Sequence, residues 1–399
     1  MNQSLLANLT KLYILQGLSF AWFPIPTIVL FYQHYGLNIE QIVLLKTILS
    51  LSILVLEVPS GYIADLWGRK ACLVVGSGVW IASWLIYCTG TSFDAFAIAE
   101  ILAGVAGSLI SGANTALGYD TLLQLGKEQQ YQVWEGKLVA IAGISEAVCG
   151  IIGAEIASIN LVYPFYLQTL CLIIYFGLSI TLVDPQDHQA IAKPSQKEIA
   201  QTQKLTQLKN IIVDVYQRPQ LRWLILLSSI FSSASFLIVW LSQDYLQQLN
   251  IPIQAFGWTW AIFHLGMSWA SLNSHHLQRI LGIKQALLLL TMILAASYIC
   301  LGSITQTWGI VFVISIYLVR GFCSPLILNA INQQISSSVR ATILSLNSLV
   351  FRVAFAVIAP LVGAIASEYD LFISLSVAGC LFFLSGWYCW WQLVKVQTF

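Results

Sequence analysis

The chain has 399 residues, of which 58% are hydrophobic and 9% charged, and its formal net charge is +1. A soluble globular chain carries about 25% charged residues, so one this apolar cannot keep its surface hydrated and needs lipid around it. The near-neutral balance, with no basic stripe interleaved with aromatics, leaves no footprint for nucleic acid.

A helix crosses the hydrocarbon core in about 20 apolar residues. In chain order the apolar stretches predict twelve spans, near 11–32, 41–64, 71–90, 95–119, 134–157, 161–183, 221–243, 254–274, 284–304, 307–330, 341–366 and 371–394. The first follows Lys11 and contains Pro24 and Pro26 with no small-residue cleavage site, so it reads as a span rather than a secretory signal. The one long polar stretch is 184–220, which separates an N-terminal half, 1–183, from a C-terminal half, 221–399, of six spans each. Within it, Ile199, Leu205, Leu208, Ile212 and Val215 have helical spacing. That suits either a helix lying on the inner membrane surface or a solvated linker.

Every Lys and Arg except Lys46, Arg320 and Arg352 falls on the N-terminal side of the membrane or at its edge. The opposite loops, around His34, Asp94, Asn160, Asp244, Thr305 and Glu368, hold none. By the positive-inside rule this puts both termini and the linker in the cytoplasm of a multi-pass protein of the cell's inner (plasma) membrane. The eight cysteines are scattered through apolar segments without metal-ligand spacing, which reads as packing and no metal.

An ionisable residue inside a span costs about 3 kcal/mol on insertion scales, so each one is a candidate for function. Well inside the spans they are Lys46 in the second span, Glu100 in the fourth, Glu146 in the fifth, His264 in the eighth, Arg320 in the tenth and Arg352 in the eleventh. Glu146 and Arg352 lie near the midplane and Glu100 nearer the outside. Either carboxylate is a candidate for carrying a coupled proton, its affinity set by desolvation and a nearby cation; a static ion pair is the alternative. Arg320, Arg352, His264 and Lys46 are the candidate substrate contacts. The two arginines equally suit neutralising Glu100 or Glu146, and His264 suits packing beside Phe263 and Trp260.

Residues Gly61 to Lys70 read G-Y-I-A-D-L-W-G-R-K. Glu57, Gly61 and Asp65 recur every four residues, forming one stripe of the second span, and Gly61 permits a close helix neighbour there. Gly61, Asp65, Gly68, Arg69 and Lys70 stand at the spacing of the loop between the second and third helices of the major facilitator superfamily, which the chain resembles. Glu57 and Pro59, the prolines of the first span and the stretch Ser111 to Asp120 extend the resemblance over nearly the whole chain. The second half echoes the first, with Gly282 and Lys284 standing 214 residues beyond Gly68 and Lys70, although Arg279 replaces Asp65 in the echo.

The resemblance implies an all-α membrane protein with twelve transmembrane helices in two pseudo-symmetric six-helix halves, working by alternating access. Spans 1, 2, 4, 5, 7, 8, 10 and 11 would line a central cavity, and all six buried ionisable residues fall on these. Asp65 would face the N-terminus of the eleventh span and Arg69 would bridge to Asp120, together locking the cytoplasmic side. Antiporters of the superfamily often carry an arginine in the fourth span and a Gly-Pro pair in the fifth. Here Glu100 occupies the first region, and Gly150 and Gly153 stand in the second without proline. The expectation is a monomeric, cofactor-free secondary transporter of a small molecule, coupled to protons and exporting a drug-like or amphiphilic compound. Uptake of an organic anion or zwitterion through Arg320 and Arg352 is the alternative. An intramembrane enzyme finds no support: His275 and His276 are adjacent and point apart, and neither His-Glu-x-x-His nor a Gly-Lys-Ser nucleotide loop occurs.

Overall fold

In hydrocarbon the backbone must satisfy its own hydrogen bonds, which leaves helices as the economical solution for a chain this apolar. A computed structural model describes residues 2–184, 213–335 and 339–396, and among them helices form with no strand. The first half contains α1 (Asn2–Ser19), α2 (Ile28–His34), α3 (Ile39–Trp67), α4 (Arg69–Thr89), α5 (Phe93–Gln124), α6 (Tyr131–Ala157) and α7 (Tyr163–Ile180). The second contains α8 (Pro219–Gln248), α9 (Ile253–Leu272), α10 (Ser274–Leu301), α11 (Ile310–Asn332), α12 (Arg340–Glu368) and α13 (Leu371–Val396). Residues 196–212 of the expected surface helix lie outside the described residues.

Ten of the described helices are long and apolar enough to cross a membrane. The other two expected spans differ for local reasons. The first is broken: α1 stops at Ser19, and a single 3-10 turn, Ile25–Thr27, leads into α2. Pro24 and Pro26 lack the amide hydrogen that a continuous helix needs. The eighth, α9, is apolar, but Trp258, Trp260, His264 and Trp269 put indole and imidazole N–H groups into its aliphatic run. With the broken span and α9 included, the architecture is the expected twelve. Apolar positions such as Val139, Ile144, Leu361 and Leu384 are more than half exposed, which suits a chain surrounded by lipid.

The described residues cluster into two compact units. One comprises residues 2–184 together with Leu246–Ala261, and the other comprises 213–245 and 262–396. The segment Leu246–Ala261, which the sequence places in the second half, therefore clusters with the first unit. Within that unit, Leu12 and Leu15 of α1, Leu73 of α4, Ile110 and Leu117 of α5, Trp134 of α6 and Tyr175 of α7 share one core. Cys72 packs inside it, and all eight cysteines are free thiols.

Packing partners repeat six spans apart. In the first unit α4 packs along α5 and α7, and in the second α10 packs along α11 and α13. The backbone repeats as well. Gly68, between α3 and α4, has φ 87° and ψ 155°, and Gly282, at a kink inside α10, has φ 72° and ψ 160°. This region is nearly closed to any residue with a side chain. The echo noticed in the sequence is thus a repeated backbone turn.

No atom lies within 4 Å of the position a side-chain carbon would take at Gly282 or at helical Gly107, but only Gly282 has the special backbone. Gly282→Ala is expected to cost about 1–3 kcal/mol from backbone strain alone. Gly107→Ala is expected to cost nothing and to favour the helix slightly. Thermal unfolding of the two purified variants in one detergent checks this: the midpoint falls for the first and holds or rises for the second.

Candidate functional site

The residues singled out in the sequence fall into three places in the first unit and one in the second. Where α3 meets α4 in the first unit, Gly68 turns the chain so that Arg69 begins α4. Its guanidinium forms an ion pair with Asp120 of α5 and donates to the Ala116 carbonyl at 2.6 Å. The next residue, Lys70, donates its backbone N–H to Asp184 Oδ1 at 3.1 Å. A carboxylate is well placed there, because the first amides of a helix lack internal partners and carry partial positive charge. Asn8 holds the same segment from α1, donating to the Val183 carbonyl at 2.7 Å and accepting from the Val183 N–H at 3.1 Å. Lys11 donates to the Thr181 carbonyl at 2.6 Å. The surroundings of Gly61 and the side chain of Asp65 lie outside the described ones.

About 10 Å inside the N-terminal ends of α3 and α5, Lys46 and Glu100 form an ion pair in which each side chain is 2% exposed. Tyr32 of α2 completes it. Its hydroxyl donates to Glu100 Oε1 at 2.8 Å and accepts from Lys46 Nζ at 3.0 Å. Because that hydrogen is committed to Glu100, the Tyr87 hydroxyl of α4, 3.0 Å away, must be the donor between the two tyrosines. The Tyr32 hydroxyl thereby makes one donated and two accepted bonds, its full complement. Phe96 packs on both rings, 5.2 Å from Tyr32 and stacked 5.8 Å from Tyr87, and keeps the cluster dry.

The third place is the interruption in the first span. Ser145 of α6 donates to the Gly17 carbonyl at 2.6 Å, below the break. Above it, Gly150 faces Pro26 and the Trp260 indole, and Gly153 lies so close to Phe23 that any side-chain carbon would strike its carbonyl. Gly257 of α9 also lies against the main chain of Gly150 and Ile151, where an added carbon would stand 2.7 Å from each. Glu146, Gly150 and Gly153 follow one helical stripe, so partly buried Glu146 sits one turn below Gly150 on the face turned to the break. In the break itself, partly exposed Phe20 and Trp22 stack at 5.3 Å.

In the second unit, His264 of α9 lies 5.6 Å from the Tyr317 ring of α11, and Phe263 stacks on the same ring at 5.0 Å. The packing environment expected for His264 therefore includes Tyr317 besides Phe263. Arg320 is one turn further along α11, and the Arg352 guanidinium lies 6.0 Å from the Phe351 ring. Both arginines are partly buried. Among the described residues no group of three or more His, Cys, Asp and Glu side chains could hold a metal.

Reading the sequence paired Arg69 with Asp120 but did not pair Lys46 with Glu100. It also missed Tyr32, Tyr87 and Asp184. A signal existed for the last alone: a carboxylate ahead of Pro185, just past the end of an apolar run, is a plausible cap for a neighbouring helix.

The sequence profile of the Major Facilitator Superfamily matches residues 12–360. No curated protein sequence matches the chain. Among solved structures, the nucleoside transporter NupG superposes with a TM-score of 0.75 at 13% identity, covering 98% of this chain and 99% of that one. A D-xylose-proton symporter gives 0.71 at 13% identity, covering 97% and 98%. A peptide transporter POT in complex with sulfate gives 0.73 at 12%, covering 98% and 94%. At such identities these likenesses establish the fold alone. The profile match spans most of the chain, which therefore belongs to the major facilitator superfamily.

Proposed function

We propose that this transporter exports a drug-like or amphiphilic small molecule in exchange for protons, and that Glu146 carries the coupled proton. The observation that carries the reading is the position of Glu146: partly buried, near the middle of α6, on the stripe that faces the interrupted first span. Broken helices at membrane depth are tolerated where they line a cavity or are buried in protein, and transporters use them to build sites near the midplane. The stacked Phe20 and Trp22 add an aromatic surface suited to an amphiphile. Glu100 suits the proton role less, because protonating it would leave Lys46 a buried cation without its counter-charge, at a cost of several kcal/mol.

Arg320 and Arg352 favour the second reading, uptake of an organic anion or zwitterion, since both are partly buried cations on spans expected to line the cavity. The solved symporter of xylose and protons supports proton coupling as a capacity of this fold. Arg69, Asp120 and Asp65 form the inner gate in this reading, with Gly61, Gly68 and Lys70 shaping its loop. The first six spans and the last six act as the moving halves, the protein works as a monomer, and both termini face the cytoplasm of the inner membrane.

Three measurements test these points. In proteoliposomes with an imposed pH gradient, screened with cationic amphiphiles, nucleosides, sugars, peptides and organic acids, Glu146→Gln is expected to abolish proton flux driven by the transported compound. Exchange of that compound down its own gradient should survive. Normal flux in Glu146→Gln would remove the proton from Glu146. For orientation, single cysteines at Asn250 and at Lys127 in a cysteine-free background are compared with an impermeant reagent: Asn250→Cys should label from outside intact cells and Lys127→Cys should not. For the gate, Asp120→Asn should cost no more than about 1 kcal/mol of stability, since its partner Arg69 is partly solvated. It should nevertheless raise labelling of cysteines placed on the cytoplasmic side of the cavity spans, and unchanged labelling would count against the gate.

A further inference from the structure

The Lys46, Glu100, Tyr32 and Tyr87 cluster has no role in the transport reading above, yet it concentrates the polar chemistry of the first unit's outer half. Its members come from four elements: α2 (Tyr32), α3 (Lys46), α4 (Tyr87) and α5 (Glu100). Three of these are long helices of 21 or more residues. The fourth, α2, has only seven residues and is cut off from α1 by the break at 20–27. A free helix of that length is not stable by itself, because nucleation costs more than a few hydrogen bonds return. Something must hold it in register.

Apolar packing does part of this, with Phe31 lying on the rings of Tyr87, Phe96 and Phe165. The hydrogen bonds of Tyr32 do the rest. Tyr32 is fully buried, and its hydroxyl is the one atom that touches the lysine, the carboxylate and the second tyrosine together. The Lys46 ammonium also lies 4.9 Å from the centre of its ring. An ion pair alone would join α3 to α5, which already pack along each other. Tyr32 is what extends that attachment to α2. Downstream of α2 in the mechanical sense lies the break, whose Phe23 and Pro26 rest on Gly153 and Gly150, two turns and one turn from Glu146 respectively. The geometry of the interruption is thus fixed from one end by α1, through Ser145 and Gly17, and from the other by Tyr32.

We propose that Tyr32 is a positioning residue for transport: clamped by the buried Lys46–Glu100 pair and Tyr87, it holds α2 in place and so sets the shape of the broken first span opposite Glu146. Lys46 and Glu100 serve as the clamp and carry neither substrate nor the coupled proton. The inference rests on the transport reading for its consequence, but the clamp itself is read without any substrate.

The test uses full-length protein in proteoliposomes and four variants: Tyr32→Phe, Lys46→Met, Glu100→Gln and the double Lys46→Met/Glu100→Gln. Backbone hydrogen exchange of 28–34 reports on the clamp, with α13 as the internal control. Tyr32→Phe keeps the ring and leaves the ion pair intact, yet exchange in 28–34 is expected to rise about tenfold or more while α3, α5 and α13 stay protected. Lys46→Met and Glu100→Gln each strand a buried charge and should raise it further. The double variant strands none and should bring α3 and α5 back to wild-type protection.

Transport of whichever screened compound the wild type moves gives the readout that simple loss of folded protein would not shift. In Tyr32→Phe the KM rises about fivefold or more, with the maximal rate per folded molecule and the pH profile unchanged. The double variant keeps proton-driven accumulation. Wild-type exchange in 28–34 of Tyr32→Phe would overturn the clamp, and an unchanged KM would overturn the positioning role. A double variant that exchanges substrate but moves no protons would hand the proton to Glu100. If the wild type moves no compound, the transport reading and the positioning role built on it both fail, and the exchange data still decide the clamp.

Discussion

Lipid offers no hydrogen bonds, and most of what is distinctive in this protein is an answer to that constraint. Helices satisfy the backbone internally. The places where they stop, bend or carry charge each need a local partner, and those partners are what the structure supplies. Lys46 has Glu100 and Tyr32, and the start of α4 has Asp184. The main chain of the break has α6, whose glycines let two backbones meet where side chains would have kept them apart. A soluble protein would leave much of this work to water.

The same constraint explains why so much of the fold was legible in the sequence. Span number follows from apolar length, and one-sided Lys and Arg give the expected orientation. The signature loop was readable because its glycine is forced: the conformation at Gly68 excludes nearly every other residue, and Gly282 repeats it. Pairing between helices was less visible. Lys46 and Glu100 are 54 residues apart, and nothing in either neighbourhood says that they meet. The sequence offers several cations for each buried acid, and the choice among them is made by helix packing, which periodicity does not encode. Tyr32 was harder still, because a tyrosine in an apolar span looks like packing until its hydroxyl is placed.

The membership of Leu246–Ala261 was not legible either. Counting spans puts this segment in the second half, but Gly257 seats on Gly150 and Ile151, and Trp260 covers Gly150. Small residues on α6 and α9 decide the matter by permitting contact at main-chain distance. Gly150 and Gly153 stand where the resembled antiporters carry a Gly-Pro pair, and here glycine makes the close approach without proline.

Asp184 belongs, by sequence, to the polar stretch that joins the halves, yet it is bonded back to the head of α4, and Asn8 grips the residue before it. The boundary of the first half as a physical object therefore lies past its last apolar residue. If the two halves were produced as separate polypeptides and allowed to reassemble, the first would need to be carried through Asp184. Cutting at Thr181, where α7 itself ends, would remove the cap from another helix and leave its opening amides facing a membrane surface with nothing to bind them.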